Sequence, residues 1–492
     1  MIKKDMKFNI LVIVTIICLS IVLTTRTLQN DTFYTIKVGE SIIENGLDMK
    51  DHFSFHQGLE YTYPHWLYDV GIFLIYEFFG MFGIYVLTIA FTLILLSAMY
   101  ITTKKIIKDK YIAYALVTLL SLMLKPYITA RAQLVTYIIF LMILYFLEKL
   151  KETNKKRYMI YIIFLAILTA NLHVAVWPMI LVLFLPYLVS DLTRIIVNKI
   201  KKKKQEDDVR IEIEDAKNFK LLVTTFITTI LTGFITPKFL LPFTYLLNTK
   251  KGITLNHITE HRAITIEDTP MLFIIFGIIA FLLLQPKMKI KLKDLFFIVG
   301  LTLLSLISSR SFSLFIILLL FSIGRIIKDF LSNHKKIKLE KVFNNQVVYT
   351  AIFTLFISSA IVVYKYEETK EFIDPTKYPV EFVKIIKEKQ NENGFKLYNE
   401  YSFGSYLIYK NIPVFIDSRA DLYTEEFNKN CTVFEDSVKI FNEYENTFAK
   451  YGITHVLLYN RNHLAKLLEL NTEYKTLYSD DYFVLYEKVK GE

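Results

Sequence analysis

The sequence predicts a polytopic α-helical membrane domain with about eleven transmembrane helices, followed by a small α/β domain. Three observations lead to this fold class. The chain of 492 residues is 53% hydrophobic and only 21% charged, with a mean hydropathy of +0.37, which is too apolar for a soluble globular protein. Its apolar residues fall into runs separated by basic clusters. After residue 364 these runs stop, and the composition becomes that of a soluble domain.

The distribution of charge argues against nucleic-acid binding, although the net charge is +11. From Lys365 to the C terminus there are 17 basic and 22 acidic residues, a net charge of −5, so the preceding part carries +16. That surplus sits in short clusters between apolar runs, as expected of loops that face the cytoplasm and anionic lipid. The two cysteines, Cys18 and Cys431, predict neither a disulfide framework nor a cysteine metal site.

The apolar runs define the predicted spans and their direction. They cover 8–23, 84–101, 111–124, 134–146, 158–170, 174–189, 221–235, 271–284, 295–307, 312–327 and 347–363. A basic start before an uncleaved first span places the N terminus in the cytoplasm. Every basic cluster then lies on the cytoplasmic side, provided that 66–79 is an interfacial helix on the outer face. Several runs are shorter than the ~20 residues that a perpendicular helix needs.

This topology predicts two domains. Residues 1–364 form the transmembrane domain, with a first extracytoplasmic loop at 26–82 and a cytoplasmic loop at 191–218. Residues 365–492 form an extracytoplasmic α/β domain. Its predicted helices and strands alternate, with helices at 379–389, 437–451 and 461–470, and strands at 395–398, 414–416, 455–459, 474–478 and 482–486.

The first extracytoplasmic loop holds the leading candidates for catalysis. Asp31 lies a few residues beyond the first span, where an ionised carboxylate can accept a proton from an attacking hydroxyl or amine. Its structural alternatives are a solvated loop aspartate and the N-cap of a helix starting near Thr32–Phe33. Asp51 is a second candidate acid. His52 and His56 stand four residues apart, a weak signal for a divalent metal site because the sequence between them is typical of a loop.

Candidate substrate-binding residues lie at the outer ends of the predicted spans. Arg131, beside Gln133, stands at the mouth of a hairpin, where a buried cation is costly unless it faces a cavity, a partner or the headgroups. It can bind the phosphate of a lipid-linked substrate or extend to the interface. Substrate binding is likewise one interpretation of several further polar residues between spans, namely Asn171, His173, Glu260, Arg262 and Arg310. Walker A, GxSxG, Rossmann and HExxH motifs are absent from the sequence.

A set of motifs makes the chain resemble the GT-C superfamily of multispan glycosyltransferases, which use polyprenyl-phosphate sugars and include protein mannosyltransferases and the aminoarabinose transferase of lipid A. The closest resemblance is to a bacterial group with an extracytoplasmic C-terminal domain. The motifs are Asp51-His-Phe-Ser-Phe55, Pro64-His65-Trp66-Leu67, Ala130-Arg131-Ala132-Gln133-Leu134, Asn171-Leu172-His173-Val174, Phe403-Gly404-Ser405-Tyr406-Leu407 and Phe415-Ile416-Asp417-Ser418-Arg419-Ala420-Asp421-Leu422-Tyr423.

The chain departs from this group's pattern at five positions. His65 replaces a glutamate, which weakens any role assigned through that acid. Ala132 replaces a proline, and glycines are replaced by Val174, Ser405 and Ser418. Within the tail motif, Asp417, Arg419 and Asp421 are interpreted either as a sugar-binding edge or as a buried ion-pair turn.

The resemblance implies a GT-C-type membrane glycosyltransferase in the bacterial cytoplasmic membrane. Its donor is a polyprenyl-phosphate-linked sugar, and its acceptor is an envelope glycan, lipid or protein. Asp31 matches the loop carboxylate of the superfamily and becomes the expected base, while Arg131 is the expected phosphate ligand, with Arg262 and Arg310 in reserve. Two other classes stay open: a transporter or flippase for lipid-linked glycans, and a non-catalytic envelope scaffold. Inverted repeats with broken helices would favour the transporter.

Overall fold

The computed structural model describes residues 2–200, 210–258, 262–265, 267, 269–286, 288–334 and 338–489. The chain forms two compact units, each built from segments distant in sequence. The first unit comprises Met1–Thr25, Tyr85–Phe243 and Thr259–Thr369, and the second comprises Arg26–Ile84, Thr244–Ile258 and Lys370–Glu492. This division differs from a single boundary at residue 364, because the first loop belongs to the same unit as the C-terminal region.

Most helices in the described part of the chain are short. In chain order they are α1 (Ile2–Leu23), α2 (Asn30–Asn45), α3 (Trp66–Ile107), α4 (Lys110–Leu122), α5 (Ala132–Thr153), α6 (Lys156–Leu172), α7 (Trp177–Ile200), α8 (Phe219–Thr232), α9 (Leu241–Thr249), α10 (Thr254–His257), α11 (Pro270–Leu284), α12 (Leu292–Ile307), α13 (Phe312–Leu318), α14 (Leu320–Asn333), α15 (Leu339–Phe343), α16 (Gln346–Glu368), α17 (Phe382–Gln390), α18 (Tyr401–Tyr409), α19 (Val433–Tyr451) and α20 (His463–Leu470). The described strands are β1 (Ile211–Glu212), β2 (Ile290–Lys291), β3 (Leu397–Asn399), β4 (His455–Tyr459), β5 (Tyr474–Ser479) and β6 (Phe483–Lys488).

Each predicted apolar run lies on helical structure, but the number of crossings is not established. Within the described part of the chain, five helical segments are long and apolar enough to span a membrane by length and composition: Asp5–Leu23, Trp66–Ile107, Ala132–Thr153, Val174–Ile200 and Gln346–Glu368. Four shorter apolar helices accompany them, at Lys110–Leu122, Phe219–Thr232, Pro270–Leu284 and Ser309–Leu318. The count of eleven therefore stays a prediction.

The first unit is held together by side chains from most of its helices. Its largest fully buried side chains are aromatic and include Tyr137, Phe140, Trp177, Phe184 and Phe315. Many other apolar side chains of these helices are exposed, as expected of a surface that faces lipid. This composition agrees with the predicted membrane location.

The long helix α3 is broken at Gly80. This residue has φ 61° and ψ −159°, a conformation that glycine adopts at little cost and that other residues avoid. The break separates Trp66–Phe79 from the longer apolar part of α3. It falls where the sequence analysis predicts that an interfacial helix ends and a span begins.

Helix α2 packs closely against the start of α3 in the second unit. A Cβ atom on Gly39 would lie 2.2 Å from the carbonyl oxygen of Asp69, so only glycine permits this approach. The Asp69 side chain is fully buried, so its carboxylate is removed from water.

The second unit contains a four-stranded sheet with the order β3-β4-β6-β5. Strands β3 and β4 are parallel, and the other two pairs are antiparallel. Four of the five predicted strands form. The fifth, at 414–416, is wrong as a strand: Val414 makes only an isolated bridge, to Ser54, and the Phe415 N–H donates to the Asn399 side chain at 2.9 Å. A buried apolar triplet satisfies a strand pattern without entering a sheet.

Candidate functional site

Asp31 lies in the first turn of α2. The helix begins at Asn30, and Gln29 occupies the N-cap position without a side-chain cap bond. The alternative in which Asp31 is the N-cap of a helix starting at 32 is therefore wrong. A carboxylate in the first turn is favoured by the helix dipole, and the Asp31 side chain is half-buried.

The chain around Asp31 is anchored to the C-terminal part of the same unit. The Leu28 N–H donates to the Phe372 carbonyl at 2.9 Å, and the Asn30 side chain donates to the Tyr401 carbonyl at 3.2 Å. The Phe33 ring lies 5.0 Å from that of Tyr378 and makes edge contact with it. These bonds and the ring contact fix the backbone on both sides of Asp31.

Asp51 lies in a buried ion pair. Arg419 Nη1 donates to Asp51 Oδ1 at 2.7 Å, and the Asp51 and Arg419 side chains are 1% and 2% exposed. The N–H groups of Phe53 and Ser54 donate to the same carboxylate at 3.2 and 3.1 Å. Burial alone would raise the pKa of Asp51, but the Arg419 charge and these hydrogen bonds hold it below its ordinary value.

Arg419 is itself enclosed on every side. It donates to Asp417 twice, at 2.7 and 2.9 Å, and its guanidinium carbon lies 5.0 Å from the ring centroid of Phe53 and 4.9 Å from that of Tyr61. The opposite charges and the rings compensate for the loss of water around this cation. This geometry favours the buried ion-pair interpretation of Asp417 and Arg419, and we assign Asp51 to the same structural group.

The two candidate metal-binding histidines contact different partners. His52 Nε2 lies 2.8 Å from Asp48 Oδ2 near the surface, whereas His56 Nε2 lies 2.8 Å from the Phe415 carbonyl oxygen. Burial lowers the pKa of His56, which favours its neutral form. Neither histidine belongs to a group of three metal-binding side chains in the described part of the chain. The metal prediction has no supporting geometry there.

A different group of three has metal-binding geometry. Glu392, His455 and Glu487 each present a ligand atom, and these atoms lie within 4.8 Å of one another. However, Lys389 and Lys475 already bind the Glu487 carboxylate, at 3.1 and 2.8 Å. Because these cations occupy the carboxylate, we interpret the group as a surface ion-pair cluster.

In the first unit, the structure brings Arg262 and Arg310 to neighbouring positions. The Ser309 N–H donates to the Arg262 carbonyl at 3.0 Å, and the Ile264 N–H donates to the Leu306 carbonyl at 3.2 Å. The segment before α11 thus pairs with the turn after α12, where Arg310 lies. Arg310 is half-buried, and no described acid forms an ion pair with it.

Two tyrosines close to Arg131 in sequence contact the turn that carries Arg310. The Tyr127 hydroxyl donates to the Ser309 carbonyl at 3.1 Å, and the Tyr137 hydroxyl donates to Ser313 Oγ at 2.7 Å. The charges of both Arg131 and Arg310 act on Tyr137. We call the region carrying Arg131, Arg262 and Arg310 the arginine end of the first unit.

The polar residues at the end of α6 belong to the same region. His173 is buried, and its Nδ1 lies 3.1 Å from Thr136 Oγ1, one turn into α5. The Asn171 side chain donates to the carbonyls of Ile167 and Ile235, at 2.8 and 2.9 Å. Gln133 is half-buried in the first turn of α5. The remaining candidate, Glu260, lies outside the described residues.

Ala132, which stands where the related motif has proline, is the first residue of α5. Proline is favoured at this position because the first helical N–H has no partner within the helix. Alanine is an equally good helix residue there. The departure therefore leaves the local structure intact.

The first unit also contains a group of charges that the sequence analysis misses. Glu148 accepts a hydrogen bond from Tyr187 at 3.0 Å and forms ion pairs with Lys293 at 3.1 Å and Arg325 at 3.3 Å. Arg325 Nε also donates to Asp294 at 2.7 Å. Within this group every acid has a basic partner.

The motifs contact one another in pairs. The motif that starts at Asp51 meets the tail motif through the Asp51–Arg419 ion pair. His173, in the motif that starts at Asn171, contacts Thr136, two residues beyond the end of the Arg131 motif. Residues distant in sequence are thus joined in space, which a single sequence does not reveal.

The fold is similar to that of solved membrane enzymes. No family model matches the chain, and no curated protein matches it. The apo structure of ArnT from Cupriavidus metallidurans aligns with a TM-score of 0.54 at 10% identity, covering 97% of each chain. ArnT bound to undecaprenyl phosphate gives 0.52 at 10% identity, covering 98% of this chain and 97% of ArnT. AglB from Archaeoglobus fulgidus, in complex with an inhibitory peptide and a dolichol-phosphate, gives 0.48 at 11% identity, covering 92% of this chain and 69% of AglB. At this identity the ArnT alignments show a shared fold alone, and they confirm the predicted fold class apart from the number of spans.

Proposed function

We propose that the protein is a membrane glycosyltransferase that transfers a sugar from a polyprenyl-phosphate carrier to a cell-envelope acceptor. One observation carries the proposal: Arg131, Arg262 and Arg310, from three distant segments, meet at one end of the first unit. Arg310 is half-buried and has no ion-pair partner among the described acids, so a bound anion would stabilise its charge. Arginine is well suited to a phosphate because its planar guanidinium donates two parallel hydrogen bonds.

The phosphate is the leaving group of the proposed reaction. The acceptor oxygen attacks the anomeric carbon of the sugar, and the bond between that carbon and the phosphate oxygen breaks. The electron pair of that bond leaves with the polyprenyl phosphate. Cations at the arginine end stabilise this charge as it develops. Because phosphate leaves without needing a proton, this stabilisation contributes more to the catalysis than proton donation to the leaving group.

Asp31 is the proposed general base. As the acceptor hydroxyl attacks, its proton passes to the Asp31 carboxylate. A half-buried acid in a fixed first turn can be reached by substrate and keeps its orientation. Asp51 has no such role, because the substrate would have to displace Arg419 from it.

The fold comparison supports the choice of carrier. ArnT, which this chain resembles over nearly its whole length, binds undecaprenyl phosphate. We extend that carrier class to this chain. Together with the positive-inside pattern, it favours a location in the bacterial cytoplasmic membrane, with Asp31 and the C-terminal domain on the outer face. The acceptor class remains a glycan, lipid or protein of the envelope.

The test is discharge of radiolabelled undecaprenyl-phosphate sugars by the purified full-length protein, with envelope extract as acceptor. We expect label to move to an acceptor. Arg310→Gln should reduce the rate by one to two orders of magnitude, since a hydrogen bond to a charged group contributes about 1.5–3 kcal/mol. Arg157→Gln is the matched control. Arg157 is exposed and donates to the hydroxyl of the neighbouring Tyr158 at 3.0 Å, so its loss should leave the rate unchanged.

Two results would contradict the proposal. One is that none of the donor sugars is discharged by folded protein. The other is that Arg310→Gln and Arg157→Gln transfer label at the same rate. Binding of undecaprenyl phosphate to each variant separates a loss of donor affinity from a loss of chemistry.

A further inference from the structure

The second unit contains a basic cavity of about 220 Å³. Its lining includes three lysines, Lys37, Lys387 and Lys410, and one acid, Glu40. Lys37 and Glu40 form an ion pair on α2. The lining therefore carries a net charge of +2, which comes from Lys387 and Lys410.

These two lysines have no acidic partner among the described residues. Lys410 Nζ lies over two aromatic rings, 4.8 Å from the centroid of Tyr409 and 5.6 Å from that of Tyr406. Burial and the nearby charge of Lys387 lower the pKa of Lys410. Two like charges held together without an anion are unfavourable, so the cavity is arranged for an anionic ligand.

Neutral hydrogen-bonding groups complete the lining. The hydroxyls of Tyr76 and Tyr409 are 2.7 Å apart and share one hydrogen bond, which leaves the other proton for a ligand. Asn411 follows Lys410 in a left-handed conformation, with φ 58°, and its exposed carboxamide lines the cavity. Lysine, tyrosine and asparagine donors suit the oxygens of a phosphate group.

The helix that carries Tyr76 also carries exposed apolar side chains. Phe73 and Tyr76 line the cavity, whereas Leu74 and Phe78, four residues apart on another face, are 40% and 74% exposed. Phe79, next to the break in α3, is 65% exposed. Exposed aromatic side chains beside a basic cavity are typical of a surface that lies in a membrane interface.

We propose that this cavity binds the phosphate of an anionic lipid headgroup, at a site separate from the arginine end. The exposed aromatic residues favour a lipid over a soluble phosphate ester. The same lysines and hydroxyls would accept free phosphate. The proposal concerns residues of the second unit alone and does not depend on sugar transfer.

The test is native mass spectrometry of the full-length protein in a neutral detergent, with phosphatidylglycerol or phosphatidylcholine added. Wild-type protein should retain phosphatidylglycerol in preference to phosphatidylcholine, whose choline is repelled by the lysines. The double variant Lys387→Gln/Lys410→Gln should bind the tightest phosphatidylglycerol about 30-fold more weakly, given the usual contribution of a basic residue near an anionic surface. Lys410→Arg should retain binding.

The matched control is Lys384→Gln/Lys466→Gln. Both lysines are exposed in the same unit and lie outside the cavity lining, so this variant removes the same charge and should bind lipid as wild type does. Inorganic phosphate, added at millimolar concentration, distinguishes a lipid headgroup from free phosphate as the ligand. Displacement of the lipid identifies a site for free phosphate, whereas retention of the lipid identifies a headgroup site. Equal lipid binding by both double variants, with no effect of phosphate, would overturn the proposal. An unchanged unfolding temperature for the double variant Lys387→Gln/Lys410→Gln excludes misfolding as the cause.

Discussion

Asp31 and Asp51 are the same kind of side chain, 20 positions apart in the same unit, yet the structure buries them to different degrees. Asp31 is half-buried in the first turn of α2. Asp51 is 1% exposed and bound to Arg419. A carboxylate that serves as a base must exchange a proton with substrate, whereas one that neutralises a buried cation must not move. The comparison teaches that the position of an acid in the sequence says little about its role. The burial and ion pairing of the acid in the fold determine that role.

The largest effect on stability should come from Arg419→Met. This substitution leaves Asp51 and Asp417 buried without their cation, which costs about 3–5 kcal/mol. We expect a much lower yield of folded protein and a large drop in unfolding temperature, measured by fluorescence-detected size exclusion after heating. Arg461→Met, which removes an exposed arginine over Tyr459, should change stability by no more than about 0.5 kcal/mol. If Arg419→Met and Arg461→Met unfold at equal temperatures, Arg419 is not required to stabilise the buried Asp51. The contrast between Asp31 and Asp51 would then fail.

A smaller effect is expected from Asp51→Asn, which keeps the shape of the side chain and leaves Arg419 paired with Asp417. The loss of one charged partner should cost about 1.5–3 kcal/mol at neutral pH. The pKa of Asp51 is lower in the folded protein than its ordinary value of about 4. Its contribution to stability is therefore present above pH ~4 and is lost as the pH falls through the folded pKa.

This linkage can be measured from unfolding temperatures between neutral and acidic pH. Wild type should lose more stability than Asp51→Asn as the pH falls below about 4. Parallel curves for the two proteins would show that Asp51 is not held ionised by Arg419. That result would reopen its candidacy as an acid or base.

The smallest effect is expected from His52→Gln. Its contact with Asp48 is near the surface, with side chains 35% and 26% exposed, and such pairs contribute about 0–1 kcal/mol. Metal content measured by plasma mass spectrometry should be the same for wild type, His52→Gln and His56→Gln. A joint loss of one metal equivalent in both variants would restore the sequence-based metal prediction and give the Asp51 loop a function.

The helices of the first unit could be predicted because a long apolar run has few alternatives to a helix in a membrane. The sheet of the second unit could be predicted in large part, since β4 begins and ends at the predicted residues. The strand at 414–416 could not, because Val414 and Ile416 are buried by loop packing rather than by a ladder. Hydrophobicity reports burial, and burial does not require a sheet.

The candidate site was predictable only as a list of residue types. The Asp51–Arg419 pair joins positions 368 residues apart, and no local pattern in one sequence encodes such a contact. The gathering of Arg131 and Arg310 depends on backbone pairing between Arg262 and Ser309 and on two tyrosine hydroxyls. For the same reason, the sequence does not reveal that Lys387 and Lys410 lack acidic partners among the described residues. Pairing of charges is a property of the fold.

The most direct test of the account is the initial rate of sugar transfer from an undecaprenyl-phosphate donor by Asp31→Asn, compared with Asp51→Asn, each normalised to folded protein. The account predicts that Asp31→Asn loses at least about 100-fold in rate, as expected on removal of a general base, with an unchanged unfolding temperature. It predicts that Asp51→Asn unfolds at a lower temperature but transfers sugar at nearly the wild-type rate. Transfer at the wild-type rate by Asp31→Asn would contradict the central claim.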